Sequence, residues 1–498
     1  MYPIDYFWRA VQRHPNRPAV ISPQGNLSFS ELAEIVLDRA AALDCIDPQP
    51  RSRVCVGAAN SVDHLVAILA ILAAGKIWVP LNPRNGDPEL RRIVDFVEPS
   101  LVLADVEMLE RLVGIDAPLQ SFDVLARQAG NRQLLAMGPL SRAGIHPEDA
   151  QAIKFTGGTT GFPKGVIQPL RAWTTSIATQ IHELELQPSD RYLVAAPITH
   201  GTSTYMLPIL GAGGALVFPD YAKPGALLDA ASAHDVTLFF APPTLIQALA
   251  EEQRREPRAL GALRYLVYGG APMRPEQIRD AQAVFGPIVC TSFGQTEAPQ
   301  IITFLPPSEM TGDNLASVGR PSLLTQVAIV DKDGRPLQPG EEGEIVVRGS
   351  LVMSGYLKAE EETRKTLIDG WLHTGDAGVF DERGYLFLRD RIRDVIITGG
   401  FNVYPGDVEV VLSGHPAVAD CSVVGVPDDK WGEAVHAAVQ LRAGASVQTD
   451  ELIAFVKREL GSVKTPKVVH FFDELPRSAV GKVLKPAVRD AILGGRGQ

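Results

Sequence analysis

The sequence predicts an α/β protein. A large N-terminal domain is built of layered α/β subdomains with a β-rich subdomain after them, and a small α+β domain closes the chain. Three observations predict this. Short β-branched runs alternate with helical patterns up to about residue 320, the order that gives largely parallel sheets covered by helices. Beyond that point the pattern turns to short strands joined by tight turns. The last hundred or so residues carry strands and helices of their own, enough for a separate core. A chain of 498 residues also exceeds what one core of ordinary size encloses.

Taken in order, the predicted strands are Arg53–Val56, Leu101–Ala104, Tyr192–Ala195, Ala215–Phe218 and Thr237–Phe240. Helices are expected over Ser30–Ala42, Val62–Ala74 and Pro243–Glu252, the last with proline in its first turn. Antiparallel strands follow at Val327–Val330 and Gly343–Arg348, with a turn at Asp333-Gly334, and another at Gly384–Leu388. After the charged run Arg389–Asp394 come a helix at Pro405–Leu412, strands at Cys421–Val426 and Ala434–Leu441, and a helix at Asp450–Leu460. The domains are expected at 1–390 and 395–498, with 391–394 as hinge. No repeat or low-complexity segment interrupts the chain.

Hydrophobic content of 45% and charged content of 21% are those of an ordinary globular protein. A net charge of -11 argues against nucleic acid as a partner, while leaving room for an anionic ligand in a local basic loop. Four scattered cysteines form no C-x-x-C pair, and ten histidines form no H-x-x-x-H cluster, which argues against structural zinc and a disulfide framework. A cytoplasmic setting is expected. The N-terminus lacks a signal peptide's basic start and apolar run. The longest apolar stretch, Leu65–Ala74, is about half of a membrane span and reads as a buried helix.

The most telling segment is Phe155-Thr156-Gly157-Gly158-Thr159-Thr160-Gly161-Phe162-Pro163-Lys164-Gly165-Val166. Glycines leave backbone N–H groups bare and let a ligand approach. Threonine hydroxyls donate to phosphate oxygens, and lysine adds a point charge. Pro163 stands where a Walker A loop needs glycine, so this is a different phosphate loop. A plain surface turn has the same composition. The flanking Ile153, Phe155, Val166 and Ile167, however, frame the segment as strand–loop–strand.

Four further segments carry chemistry. Ser292-Phe293-Gly294-Gln295-Thr296-Glu297 offers an aromatic face, a hydroxyl and a carboxylate able to hold Mg²⁺. His373-Thr374-Gly375-Asp376 puts a carboxylate in a tight turn, where it either caps its own backbone or accepts from ribose hydroxyls. The third joins Asp390-Arg391-Ile392-Arg393-Asp394 to Thr398-Gly399-Gly400-Phe401-Asn402-Val403-Tyr404-Pro405, and the fourth is Pro476–Val483, with Lys482. Each alone reads as a turn, a solvated charge run or a surface lysine.

Order and spacing together are specific. Over essentially its whole length the chain resembles the adenylate-forming superfamily of acyl- and aryl-CoA synthetases, adenylation domains of peptide synthetases and beetle luciferases. The resemblance implies a mobile C-terminal lid and two half-reactions. A carboxylate attacks the α-phosphate of MgATP to give acyl-AMP and pyrophosphate, and a thiol, usually that of coenzyme A, then displaces AMP. It implies that Thr156, Gly157, Gly158, Thr159, Thr160 and Lys164 hold the β- and γ-phosphates. Phe293 packs on adenine, with the Gly270-Ala271-Pro272 backbone at its other edge. Thr296 touches the α-phosphate, Glu297 binds Mg²⁺, and Asp376 and Arg391 grip the ribose. Lys482 reaches both carboxylate and α-phosphate, easing the repulsion between two anions. Arg393 is the hinge, and Gly399 and Gly400 line the coenzyme A tunnel. His200 closes over the acid's path, or is simply a hydrogen-bonded structural histidine. Trp431 either packs in the lid's core or contacts coenzyme A. Two departures stand out: Gly157 where relatives often have serine, and Phe401 where they often have glutamate.

The stretch Ala196–Tyr205 holds no acid to pair an ammonium, so α-amino acids are disfavoured as substrates. The expected acyl pocket, with Tyr205, Gly269 and Gly294, is apolar or small, favouring a fatty, alicyclic or aryl acid. Gly269 and Gly270 are expected to leave depth in its wall. Coenzyme A is the expected acceptor, and the phosphopantetheine of an acyl carrier protein is the alternative. A homodimer is compatible with the sequence.

Overall fold

The computed structural model describes residues 2–127, 145–156, 164–391, 394–398, 401–428, 430–478, 481 and 483–495. The chain divides into two compact units, residues 1–327 with 347–372, and residues 328–346 with 373–498. The charged run at 390–394 falls inside the second unit. There the Leu386–Arg391 strand packs against the Pro405–Ser413 helix. Arg389 also donates to Glu342 at 2.8 Å.

In the first unit the described residues form two sheets. One has seven strands, ordered Gly355–Tyr356, Lys164–Pro169, Ala150–Thr156, Ile77–Leu81, Arg53–Gly57, Leu101–Ala104 and Leu119–Ser121. From Ala150–Thr156 to Leu119–Ser121 its neighbours run parallel. The other has nine, with Val289–Phe293, Tyr265–Tyr268, Leu238–Ala241, Arg191–Leu193 and Ala215–Val217 as its parallel centre. A single buried cluster takes Val54, Trp78 and Leu103 from the first sheet and Tyr192, Leu216 and Phe240 from the second. Helices Phe29–Ile46, Val62–Ala73 and Ser203–Gly211 fill it.

Local signals explain the helices. Ser28 accepts from the Glu31 N–H at 3.2 Å while Glu31 accepts from the Ser28 N–H at 2.8 Å, a reciprocal cap worth about 1 kcal/mol. Val62–Ala73 is buried all round from His64 onward, so it has no polar face. The strand predicted to reach Ala195 ends at Leu193 instead. Pro197 follows, and the chain leaves the sheet for a π-helical turn at Ile198–Thr202. Among the described residues no helix is long and apolar enough to cross a membrane.

The second unit contains the antiparallel pair Trp371–Phe380 and Leu386–Arg391 and a separate sheet of Phe401–Val403, Ile396–Thr398, Gly432–Leu441, Val418–Asp428 and Val468–Phe471. Helices Pro405–Ser413 and Thr449–Lys464 cover a core of Val408, Leu412, Val423, Val435, Leu452 and Val456.

Candidate active site

In the first unit the predicted loop has its predicted stem. Ala150–Thr156 and Lys164–Pro169 pair antiparallel, with Thr156 opposite Lys164. Gly157, Gly158, Thr159 and Thr160 lie outside the described residues. Lys164 places its ammonium 2.6 Å from Glu362 Oε2 and 4.9 Å from the Tyr356 ring centre. The hydrogen bond from Lys164 holds the Glu362 carboxyl below the usual carboxylate range. Tyr356 in turn donates its hydroxyl to Glu297 Oε1 at 2.9 Å. Burial, then the Glu297 charge, push the Tyr356 phenol up. Cation, phenol and carboxylate thus stand in line beside the loop stem.

Thr296 and Glu297 sit in a tight turn closed by mutual bonds between Gln295 and Ala298. Their backbone is held from two sides. Gln168 donates to the Thr296 carbonyl at 2.7 Å, and the Met353 N–H donates to the Glu297 carbonyl at 2.7 Å. Mg²⁺ is commonly bound by one or two carboxylates together with substrate phosphates. Glu297, part-exposed and fixed by Tyr356, fits that donor set. No group of three ligating side chains occurs among the described residues.

Phe293 ends its strand and is buried. Gly270, with φ +78°, has open space where a side chain would start, and both it and Pro272 are exposed with Ala271 half-buried between them. Gly294 cannot be replaced without conflict: a Cβ there would lie 2.5 Å from the Gln300 backbone. Depth is not what Gly269 leaves. A Cβ there would meet Phe240 at 3.0 Å, and one at Gly201 would meet the same ring at 2.9 Å. Tyr205 is 1% exposed, stacked between Tyr192 and Phe240 at 5.5 and 5.6 Å. It therefore backs the wall from inside. Its hydroxyl accepts from Gln300 at 3.0 Å, and the Gln300 amide oxygen lies 3.2 Å from the Thr204 hydroxyl. His200 is exposed, with Nδ1 3.0 Å from the Thr199 hydroxyl.

In the second unit Asp376 lies on the Trp371–Phe380 strand in register with Arg391. The tight turn expected at His373–Asp376 is instead part of this strand, because the strand runs through it to pair with Leu386–Arg391, and Gly375 at φ +70° gives it only a local irregularity. Glu344 fixes this stretch: its carboxylate accepts from the Gly375 N–H at 3.1 Å and lies 2.8 Å from His373 Nδ1. Thr374 donates to the Ile345 carbonyl at 2.7 Å and accepts from the Asp376 N–H at 3.1 Å. Arg393, Gly399, Gly400 and Lys482 lie outside the described residues. Of the described neighbours of Lys482, Arg477 bridges Val483 and Gly481 takes φ +84°. Trp431 is not a core residue. It is 39% exposed, with the Lys430 and Lys467 ammoniums 4.8 and 5.7 Å from its ring.

Sequence reasoning missed Gln168, Gln300 and Tyr356. Only Gln300 left a trace, lying just past the F-G-x-T-E segment; it adopts φ +75°, unusual for a residue with a side chain. Tyr356 and Gln168 reach Glu297 and Thr296 from remote strands, and nothing local announces that.

A glycine-rich loop stem ending in lysine, beside a fixed carboxylate on a layered α/β frame, defines an enzyme that handles a nucleotide's phosphates. Comparison with known proteins narrows the class. Residues 7–357 match the AMP-binding enzyme family and residues 407–482 its C-terminal domain. A medium/long-chain fatty-acid–CoA ligase of Mycobacterium tuberculosis is 34% identical, over 98% of this chain and 90% of that one. A feruloyl-CoA synthase of an Amycolatopsis species is 35% identical, over 97% of each. The solved o-succinylbenzoate CoA synthetase of Bacillus subtilis, in complex with its acyl-adenylate intermediate, superposes with a TM-score of 0.87 at 29% identity, over 98% of each chain. The chain belongs to the AMP-binding enzyme family, on the acyl- and aryl-CoA synthetase branch of the adenylate-forming superfamily.

Proposed function

We propose that the protein is an ATP-dependent acid–thiol ligase that activates an apolar carboxylic acid, fatty, alicyclic or aryl, and transfers the acyl group to coenzyme A. The observation that carries this reading is the line Lys164–Tyr356–Glu297 beside the loop stem. In the first half-reaction a carboxylate oxygen attacks the α-phosphorus as its bond to pyrophosphate breaks. In the second the thiol attacks the acyl carbon, and AMP leaves. Lys164 and the loop hydroxyls of Thr156, Thr159 and Thr160 hold the β- and γ-phosphates, with Gly157 and Gly158 giving backbone N–H groups. Glu297 would hold Mg²⁺, which when bound neutralises phosphate charge. Phe293 and the Gly270-Ala271-Pro272 backbone take adenine, and Asp376 and Arg391 the ribose. Thr296 touches the α-phosphate. Lys482 sits between the two anions, where a fixed cation favours the charge-rich transition state. His200 lies along the acid's path.

For the acceptor, Trp431 between two lysines offers an aromatic face flanked by cations, which suits the phosphorylated adenosine of coenzyme A. Trp431→Ala is expected to raise the KM for coenzyme A about tenfold, at the lower end of base-stacking losses, and to leave pyrophosphate release alone. An unchanged KM removes Trp431 from the acceptor site. Gly399 and Gly400 line the pantetheine tunnel, and Arg393 is the hinge. Arg393→Pro is expected to slow at least one half-reaction, and two intact rates place the hinge elsewhere.

Four free cysteines fit a reducing, cytoplasmic setting. A panel of carboxylic acids assayed by pyrophosphate release tests the reading. Acid-dependent release with apolar members supports it, and no release with any acid refutes it. AMP release on adding free coenzyme A, against a holo carrier protein, identifies the acceptor. Scattering mass against enzyme concentration tests a homodimer.

A further inference from the structure

We propose that Lys154 is a positioning residue that sets the main chain of His200 through Ser203, and so shapes the path of the carboxylic acid. The proposal rests on the assignment of His200 to that path. Lys154 stands two residues before Thr156 on the loop-stem strand. Strand alternation puts it on the face that carries Ala152 into the large core, while Ile153 and Phe155 face the other cluster. Its side chain is 6% exposed. The ammonium lies 5.0 Å from the Trp78 ring centre and 5.3 Å from that of Trp173. Among the described residues no carboxylate pairs with it. Its hydrogen bond goes to Ser203 Oγ at 2.7 Å, and Ser203 Oγ donates onward to the His200 carbonyl at 2.7 Å.

A cation buried without a counter-ion is costly, and burial draws the Lys154 ammonium down to about 7. Two indole faces return part of that cost. An apolar residue of the same length would be neutral or better for stability. What such a residue lacks is the donor. The turn it serves is irregular: within Ile198–Thr202, His200 leaves helical geometry at φ -119°, ψ -134°. Hydroxyls hold the carbonyls around it. Thr202 donates to Ala196 at 2.9 Å, Ser203 to His200, and Thr204 to Gly201 at 2.6 Å. Of these three hydroxyls, Ser203 is the one that accepts from a cation, and such chained bonds strengthen one another. The same indole pair also reaches the phosphate side. Trp173 donates to Gln168 at 3.0 Å, and Gln168 holds the Thr296 carbonyl. The structure thereby ties one buried lysine to the backbone of His200, while its indole neighbour serves Thr296.

The test uses Lys154→Met, Ser203→Ala, the double variant and His200→Ala in the full-length enzyme. Acid-dependent and ATP-dependent pyrophosphate release are measured with the acid that the panel identifies. Lys154→Met is expected to keep or raise the melting temperature and to lower kcat/KM for the acid about tenfold, with the KM for ATP within about twofold. Ser203→Ala is expected to do the same, and the double variant no more than either single one, because both break one relay. Unchanged acid kinetics in Lys154→Met, or additive losses in the double variant, overturn the proposal. So does a fall in acid and ATP parameters together with the melting temperature, which is the mark of a purely structural lysine. If Lys154→Met does not fold, Ser203→Ala decides by the same split. An effect in His200→Ala without one in Lys154→Met or Ser203→Ala defeats this inference alone, whereas no effect in His200→Ala defeats the assignment beneath it.

Discussion

Replacing Lys482 by alanine is expected to lower pyrophosphate release by on the order of 10² or more, while thioester formation from supplied acyl-AMP stays near that of the unaltered enzyme. The reason is electrostatic. In the first half-reaction two anions must meet while charge builds on phosphorus, and a cation between them acts mostly on the transition state. In the second, a thiol attacks an acyl carbon whose leaving group already carries its phosphate charge, and that cation is not required. The measurement is pyrophosphate release beside a coupled assay of thioester from synthetic acyl-AMP. Equal loss in both assays would remove the division of labour assigned to this residue.

Glu297→Gln is expected to have the second large effect. The substitution keeps shape and leaves an amide oxygen to accept from the Tyr356 hydroxyl, so the turn should persist. It removes the negative charge that a divalent cation needs. Adenylation is expected to fall by on the order of 10², with a higher Mg²⁺ concentration needed for half-maximal rate. A magnesium titration of pyrophosphate release checks this, and an unshifted titration curve would take Glu297 out of the metal's coordination. The two substitutions separate cleanly, since only the second should respond to added magnesium.

Much of this was legible in the sequence because local chemistry fixed it. The stem of the Gly/Thr loop could be read from Ile153, Phe155, Val166 and Ile167, and those residues do form the paired strands. Asp333-Gly334 is a tight turn as its residues require, with Gly334 at φ +78°. The rest depends on partners far away in sequence. Tyr356 binds Glu297 from a two-residue strand on the sheet's edge, and a strand that short has no periodicity to read. Lys154 interrupts an apolar stretch, yet period two alone could not say that both faces of its strand are covered. By type alone Trp431 read as either a core residue or a coenzyme A contact, and it sits 39% exposed with two lysines flanking its ring.

The ring of Phe240 occupies the room beside two glycines far apart in the chain, Gly201 and Gly269, and is stacked against Tyr205, so it has little freedom to retreat. One aromatic tenant therefore couples three positions that look independent in the primary structure. A methyl group added at either glycine presses on the same phenyl group, and trimming residue 240 frees Gly201, while Gly269 still meets the Ser292 carbonyl at 3.3 Å. Any attempt to reshape this wall by substitution has to vary the trio together, since a single exchange at either glycine shifts the ring that the other one faces.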